Sequence, residues 1–260
     1  MADAVHYEVD GDVGVITLDR PDNRNSMTPE LLDAFTVASA AARGDERIRC
    51  LVVTGRGECF SSGADFKSTL QREGDHRPPQ ERSFAMYEPF LSLLEITVPV
   101  IAALNGHAVG GGFGLALVCD LRIGAIGAKY GANFVKLGLA PGMGISYLLP
   151  RLIGMARASE LLLTGRLVDG VEAERLGILN RALPATEVLA EAMALARTIA
   201  ANGPFAVRET KRAIRRGLGL DPREAARIEA YAQADSIAMD DSREGIAALL
   251  AKRAPVFTGQ

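Results

Sequence analysis

The stretch VPVIAALNGHAVGGGFGLALVCD, residues 98–120, constrains the fold more than any other part of the chain. It opens with a continuous apolar run, Val100 to Leu104, of the kind found in strands buried on both faces. It closes on an apolar segment that reads as a helix. Between the two stand Gly110, Gly111 and Gly112, with Gly114 one step further on. Consecutive glycines at a strand-to-helix junction permit positive φ and let a ligand atom approach the backbone. The first N–H groups of the helix have no intrahelical partner, and the helix dipole adds partial positive charge at the same place. Such a junction favours an anion, or an oxygen on which negative charge develops.

The sequence holds a second junction of this kind. IRCLVVTG, residues 48–55, is another buried β-branched run, and it leads through the turn-rich loop RGECFSSGADF, which carries Gly63-Ala64. Two backbone N–H groups from separate junctions are what an oxyanion hole for a carbonyl requires. Either loop alone reads as a tight turn. The pair is the stronger signal.

Around these junctions the chain alternates strands and helices. Residues 5–19 read as a hairpin about an Asp-Gly-Asp turn, and Thr28, Pro29 and Gly44 bound a helix. Residues 68–80 read as a polar, partly mobile segment with paired prolines, followed by a helix at about 81–95. Residues 121–131 look like a strand, and VKLGLAPGMGISYLLPRLIG is a glycine-rich turn feeding a helix. From about 186 onward the periods are Ala-rich and helical. The expected fold class is therefore α/β, with an α/β core over residues 1–185 and an all-helical region over residues 186–260.

Composition and motifs exclude several functions. A net charge of −3 with interspersed signs offers no broad basic face for nucleic acid. No apolar run reaches membrane-spanning length, and the first residues lack a signal-peptide layout. Cys50, Cys59 and Cys119 have no CxxC pairing and no zinc spacing, so they read as buried reduced thiols in a cytoplasmic protein, and no metal site is expected. G-x-G-x-x-G at a strand–helix junction, a P-loop and G-x-S-x-G are all missing.

RPDNRNSMTPELL, CFSSGADFK, VPVIAALNGHAVGGGFGLALVCDLRI, LGLAPGMG and GRLVDGVEAERLGILNRAL together resemble the crotonase superfamily, the enoyl-CoA hydratase/isomerase-like proteins. The resemblance covers nearly the whole chain. It implies a ββα superhelical core, a helical C-terminal trimerisation region giving a homotrimer or a dimer of trimers, and a coenzyme A thioester as substrate with no separate cofactor. It places the oxyanion donors on the backbone N–H groups of Ala64 and Gly111. It places Ser62, Asp65, Phe66 and Lys67 along the coenzyme A channel, and Arg24 near its phosphates.

The resemblance also exposes a departure. Family hydratases carry one glutamate where this chain has Gly114 and a second where it has Phe134. Relatives with other chemistry carry an aspartate in the turn that here reads LAPGMG, which has no acid. Backbone N–H groups still stabilise an enolate, but activating water needs a titratable group within reach. Glu88, on the helix expected to border the acyl pocket beside Tyr87, is the candidate acid–base residue. Phe134 reads as apolar pocket wall. His107 reads as a packed histidine, His76 as an exposed one, and Asp65 and Asp120 as acids with structural roles. Three readings stand at this point: an enzyme of hydratase/isomerase type, an acyl-CoA hydrolase or decarboxylase, and a non-catalytic acyl-CoA-binding protein.

Overall fold

The computed structural model describes residues 4–65 and 76–260. Of the segment expected to be a mobile loop, residues 68–75 lie outside the described residues, and a helix already begins at Pro79. Phe66 and Lys67 lie outside them as well.

Two sheets carry the core. The larger runs β1 (Val5–Asp10), β2 (Val13–Leu18), β3 (Cys50–Gly55), β5 (Val100–Leu104), β7 (Leu121–Ala125) and β10 (Arg181–Leu183), parallel throughout except for the β1–β2 hairpin. The smaller runs β4 (Cys59–Ser61), β6 (His107–Val109), β8 (Lys129–Gly131) and β9 (Val168–Asp169). Each central strand of the large sheet is followed, after a short connection, by a strand of the small one: β3 by β4, β5 by β6, β7 by β8. Every residue of β3 and β5 is buried, as their unbroken apolar runs require.

The strands β4 and β6 are the part of the core that the sequence hides. Three residues are too few to show a period of two, so CFS and HAV read as loop until parallel pairing between β4 and β6 defines them. The helix α1 (Pro29–Gly44) begins as expected, with the Thr28 hydroxyl accepting from the Leu31 N–H at 3.2 Å, and it buries Leu31, Phe35 and Ala38. α2 (Pro79–Leu91) packs against α1 and against α3 (Gly111–Val118), the helix that the glycine run opens. α4 (Ile145–Ile153), α5 (Met155–Thr164) and α6 (Gly170–Leu176) follow, the last leading into β10.

Four helices complete the chain: α7 (Ala185–Ala200), α8 (Pro204–Gly217), α9 (Pro222–Ala238) and α10 (Asp240–Ala251). α7 lies on β3, β5 and β7. α8 is tied to the core by a buried charge cluster. Lys211, 8% exposed, donates to the Val98 carbonyl at 2.6 Å and pairs with Asp120 at 2.8 Å. Arg215 takes the other Asp120 oxygen at 2.8 Å, and Asp120 also accepts from the Val100 N–H. Burial pushes the Lys211 pKa down and Asp120 opposes it. Asp120→Ala would strand a buried ammonium, at an expected cost of about 3 kcal/mol. The check is a lowered urea midpoint at unchanged slope; a loss under about 0.5 kcal/mol would mean the pair contributes no more than an exposed one.

Candidate active site

The two glycine junctions meet. Gly110 (φ +56°) turns the chain from β6 into α3, which leaves the N–H of Gly111 at the helix start. Gly63 (φ +82°) makes the turn after β4, and a side chain there would begin 2.7 Å from the Val109 carbonyl oxygen and 2.8 Å from the Gly111 nitrogen. Only a glycine permits that approach and that φ together. Ala64 follows directly, so its N–H and that of Gly111 come from touching loops. Among the described residues neither N–H has a protein acceptor.

Residues that pattern alone did not single out hold this arrangement. Asn25, fully buried at φ +51°, accepts from the Arg20 N–H and donates to the carbonyls of Arg56 and Cys59. The Ser61 hydroxyl donates to the Asn25 carbonyl at 2.8 Å and accepts from the Gly63 N–H. Met27 donates its N–H to the Gly63 carbonyl at 2.8 Å and packs its sulfur beneath Gly111. The signal available was the asparagine: a short polar residue that tolerates left-handed backbone, in a loop between two elements.

At the far end of α3, Arg122 is 5% exposed and donates to the carbonyls of Cys119, Ile178 and Ala116. It caps the helix C-terminus with a buried positive charge.

Beyond the donors, along α3, the surroundings are apolar. A side chain at Gly114 would begin 2.5 Å from Cβ of Met143, which is itself buried and held at φ +58°. The Phe134 ring, half-buried, lies 3.8 Å from where a side chain at Gly110 would start. A side chain at Gly142 would begin 2.5 Å from the Tyr87 hydroxyl.

The structure separates the remaining candidates. Glu88 is exposed, whereas its neighbour Tyr87 is half-buried and packs toward Gly142. The reason is helix phase: successive residues of α2 point about 100° apart, so the phase that turns Tyr87 toward Gly142 turns Glu88 away. Glu88 thus lies exposed in the single chain, while Tyr87 beside it makes the contact with Gly142. His107 is exposed rather than packed, and its Nδ1 accepts from the Lys129 N–H at 2.8 Å. His76 is exposed. Arg24 is exposed at φ +59°, close to Cys59, with its carbonyl accepting from the Ser62 N–H at 3.0 Å. Ser62 and Asp65 are half-buried beside Ala64. All three cysteines are free and buried. Burial holds the Cys59 thiol at about 11 and the Cys50 and Cys119 thiols at about 12, so none supplies a thiolate.

Residues 8–260 match the enoyl-CoA hydratase/isomerase family. The chain belongs to that family. A Mycobacterium bovis protein named as a probable enoyl-CoA hydratase is 37% identical to it over 256 residues, covering 98% of both chains. The solved enoyl-CoA hydratase of Bacillus anthracis superposes with a TM-score of 0.93 at 32% identity, covering 99% of this chain and all of that one. A solved enoyl-CoA hydratase of Polaromonas sp. JS666 gives 0.91 at 30% identity, covering 98% and 99%. The ββα alternation described above is thus the crotonase fold, and the function is of enoyl-CoA hydratase/isomerase type.

Proposed function

We propose that this family member stabilises a thioester enolate with the backbone N–H groups of Ala64 and Gly111, and does so without the paired carboxylates of a hydratase. The observation that carries the reading is the contact of Gly63 with Gly111, which sets two unpartnered donors side by side at the N-terminus of α3. A thioester oxygen placed between them gains charge as the α-proton leaves, and each such donor is worth about 3 kcal/mol in that state. At the positions of the two glutamates the chain presents Gly114 and Phe134, so water is neither held nor deprotonated there. The substrate is a coenzyme A thioester, with Arg24 beside the loop that would carry the nucleotide end, in a cytoplasmic setting suited to three reduced thiols. Proton exchange at the α-carbon and carbon–carbon or isomerisation chemistry through the enolate fit this site; hydration does not.

Calorimetry with acetyl-CoA and free CoA tests the ligand. Binding is expected to weaken with added salt, because the nucleotide end carries several negative charges near Arg24. Absence of binding at millimolar ligand would overturn the reading. Tight binding with no turnover on enoyl-, β-keto- or malonyl-type thioesters would favour the non-catalytic alternative.

The same proposal includes assembly. α9 spans 17 residues and buries none of them. Tyr231, Ile237, Ile246, Leu249 and Leu250 are each more than half exposed, and Ile228 and Met239 lie half-buried between them. A helix pair with so much apolar surface is stabilised by symmetric association, and a trimer or a dimer of trimers fits the family. Light scattering at micromolar protein is expected to give three or six chain masses, and a monomer mass would refute it.

A further inference from the structure

We infer that Tyr87 selects acyl groups bearing a hydrogen-bonding oxygen near their far end. The inference rests on the coenzyme A thioester reading and adds a substrate class to it. Follow α3 away from its N-terminus. On the thioester reading, an acyl chain directed along α3 from Gly111 would run by Gly114, whose side-chain space Met143 fills, toward Gly142, the residue before Met143. Gly114 stands roughly 4.5 Å along the helix from Gly111 at about 1.5 Å per residue. One further residue step of about 3.8 Å separates Met143 from Gly142.

Glycine, methionine and phenylalanine make that wall. Among the described residues, Tyr87 brings a hydrogen-bonding atom to it, with its hydroxyl set against Gly142. Every fully buried side-chain nitrogen or oxygen among the described residues has a partner, and the Tyr87 hydroxyl has none, so it looks into accessible space. A phenol offers one donor and an acceptor. Left unused beside an apolar wall, that group disfavours an acyl chain with nothing to pair with it and favours one carrying a hydroxyl, keto or carboxylate oxygen there. An extended acyl chain of about six carbons matches the two steps laid end to end, which sets the length of the probes. The glycine at position 142 has a physical role in this arrangement, since any larger residue would displace the phenol.

The probes are hexanoyl-CoA and 6-hydroxyhexanoyl-CoA, with affinities read by calorimetry on the full chain. The protein is expected to bind the hydroxylated thioester about tenfold more tightly, the gain of one well-placed hydrogen bond. In Tyr87→Phe that ratio falls to near one or inverts. Gly142→Ala, which pushes on the hydroxyl without removing it, lowers the ratio as well. Retained hexanoyl-CoA binding in both variants shows that they are folded. A ratio near one in the unsubstituted protein, or a ratio unchanged in Tyr87→Phe, overturns the inference and leaves the thioester reading standing. Failure of both thioesters to bind the unsubstituted protein overturns the inference and the thioester reading together.

Discussion

Crotonyl-CoA is expected to be hydrated by this protein at least about 10³-fold more slowly than by a relative carrying both glutamates, from the usual size of acid–base contributions. The comparison is loss of enoyl absorbance for the two proteins side by side. Exchange of α-protons with deuterated solvent, followed by NMR, is expected to survive in part, because enolate stabilisation belongs to Ala64 and Gly111 and not to the missing carboxylates. The deficit is built deeper than one residue. Gly114→Glu alone will not restore hydration, because Met143 Cβ stands 2.5 Å from where the new side chain would begin, on backbone already at positive φ. Restoration requires Gly114→Glu with Met143→Gly, which clears that space, and Phe134→Glu for the opposite side. Glu88→Gln should change neither rate, since the residue is exposed in this chain. Hydration at the relative's rate would sink this reading, and its loss in Glu88→Gln would assign the chemistry to that residue.

Gly63→Ala is the second large effect. The added methyl would meet the Val109 carbonyl at 2.7 Å and the Gly111 nitrogen at 2.8 Å, and φ of +82° is unfavourable for alanine. Neither neighbour is a flexible side-chain end, so the two loops must part and the donors cease to converge. Loss of one donor costs about 10²–10³ in rate, which is the expected drop in α-proton exchange. The same variant should shift the thioester carbonyl stretch of a bound ligand back toward its value in water. Free CoA, which has no carbonyl at that place, should bind with little change and so report on folding. Exchange at the unsubstituted rate with the fold intact would remove Gly63 and Gly111 from the mechanism.

What could be read from the residues followed from how local each feature is. The buried strands Cys50–Gly55 and Val100–Leu104 declared themselves by unbroken apolar runs, and Thr28 and Pro29 set the start of α1 within a residue. β4 and β6 stayed hidden because pairing across the chain, not local pattern, defines a three-residue strand. The donors were legible as two glycine turns, yet that they touch depends on Asn25 and Ser61, whose partners lie 31 to 36 residues away. The difference between Tyr87 and Glu88 was beyond the sequence, since adjacent helical residues differ only in the direction that tertiary packing selects. Met143 was equally silent. Nothing in LAPGMG says that its methionine lies over Gly114.

Arg122 gives α3 an unusual electrical character. An isolated helix is positive at one end and negative at the other, and a ligand at its start feels the difference. Here the negative end is neutralised by a guanidinium sealed from solvent, so what remains for the Gly111 N–H to present is closer to a single positive pole. Ions in solution do not reach that charge, whereas they do reach Arg24 at the surface. Raising ionic strength should therefore loosen the protein's hold on the nucleotide half of its ligand while leaving the chemistry at the carbonyl nearly untouched: KM is salt-sensitive, kcat is not.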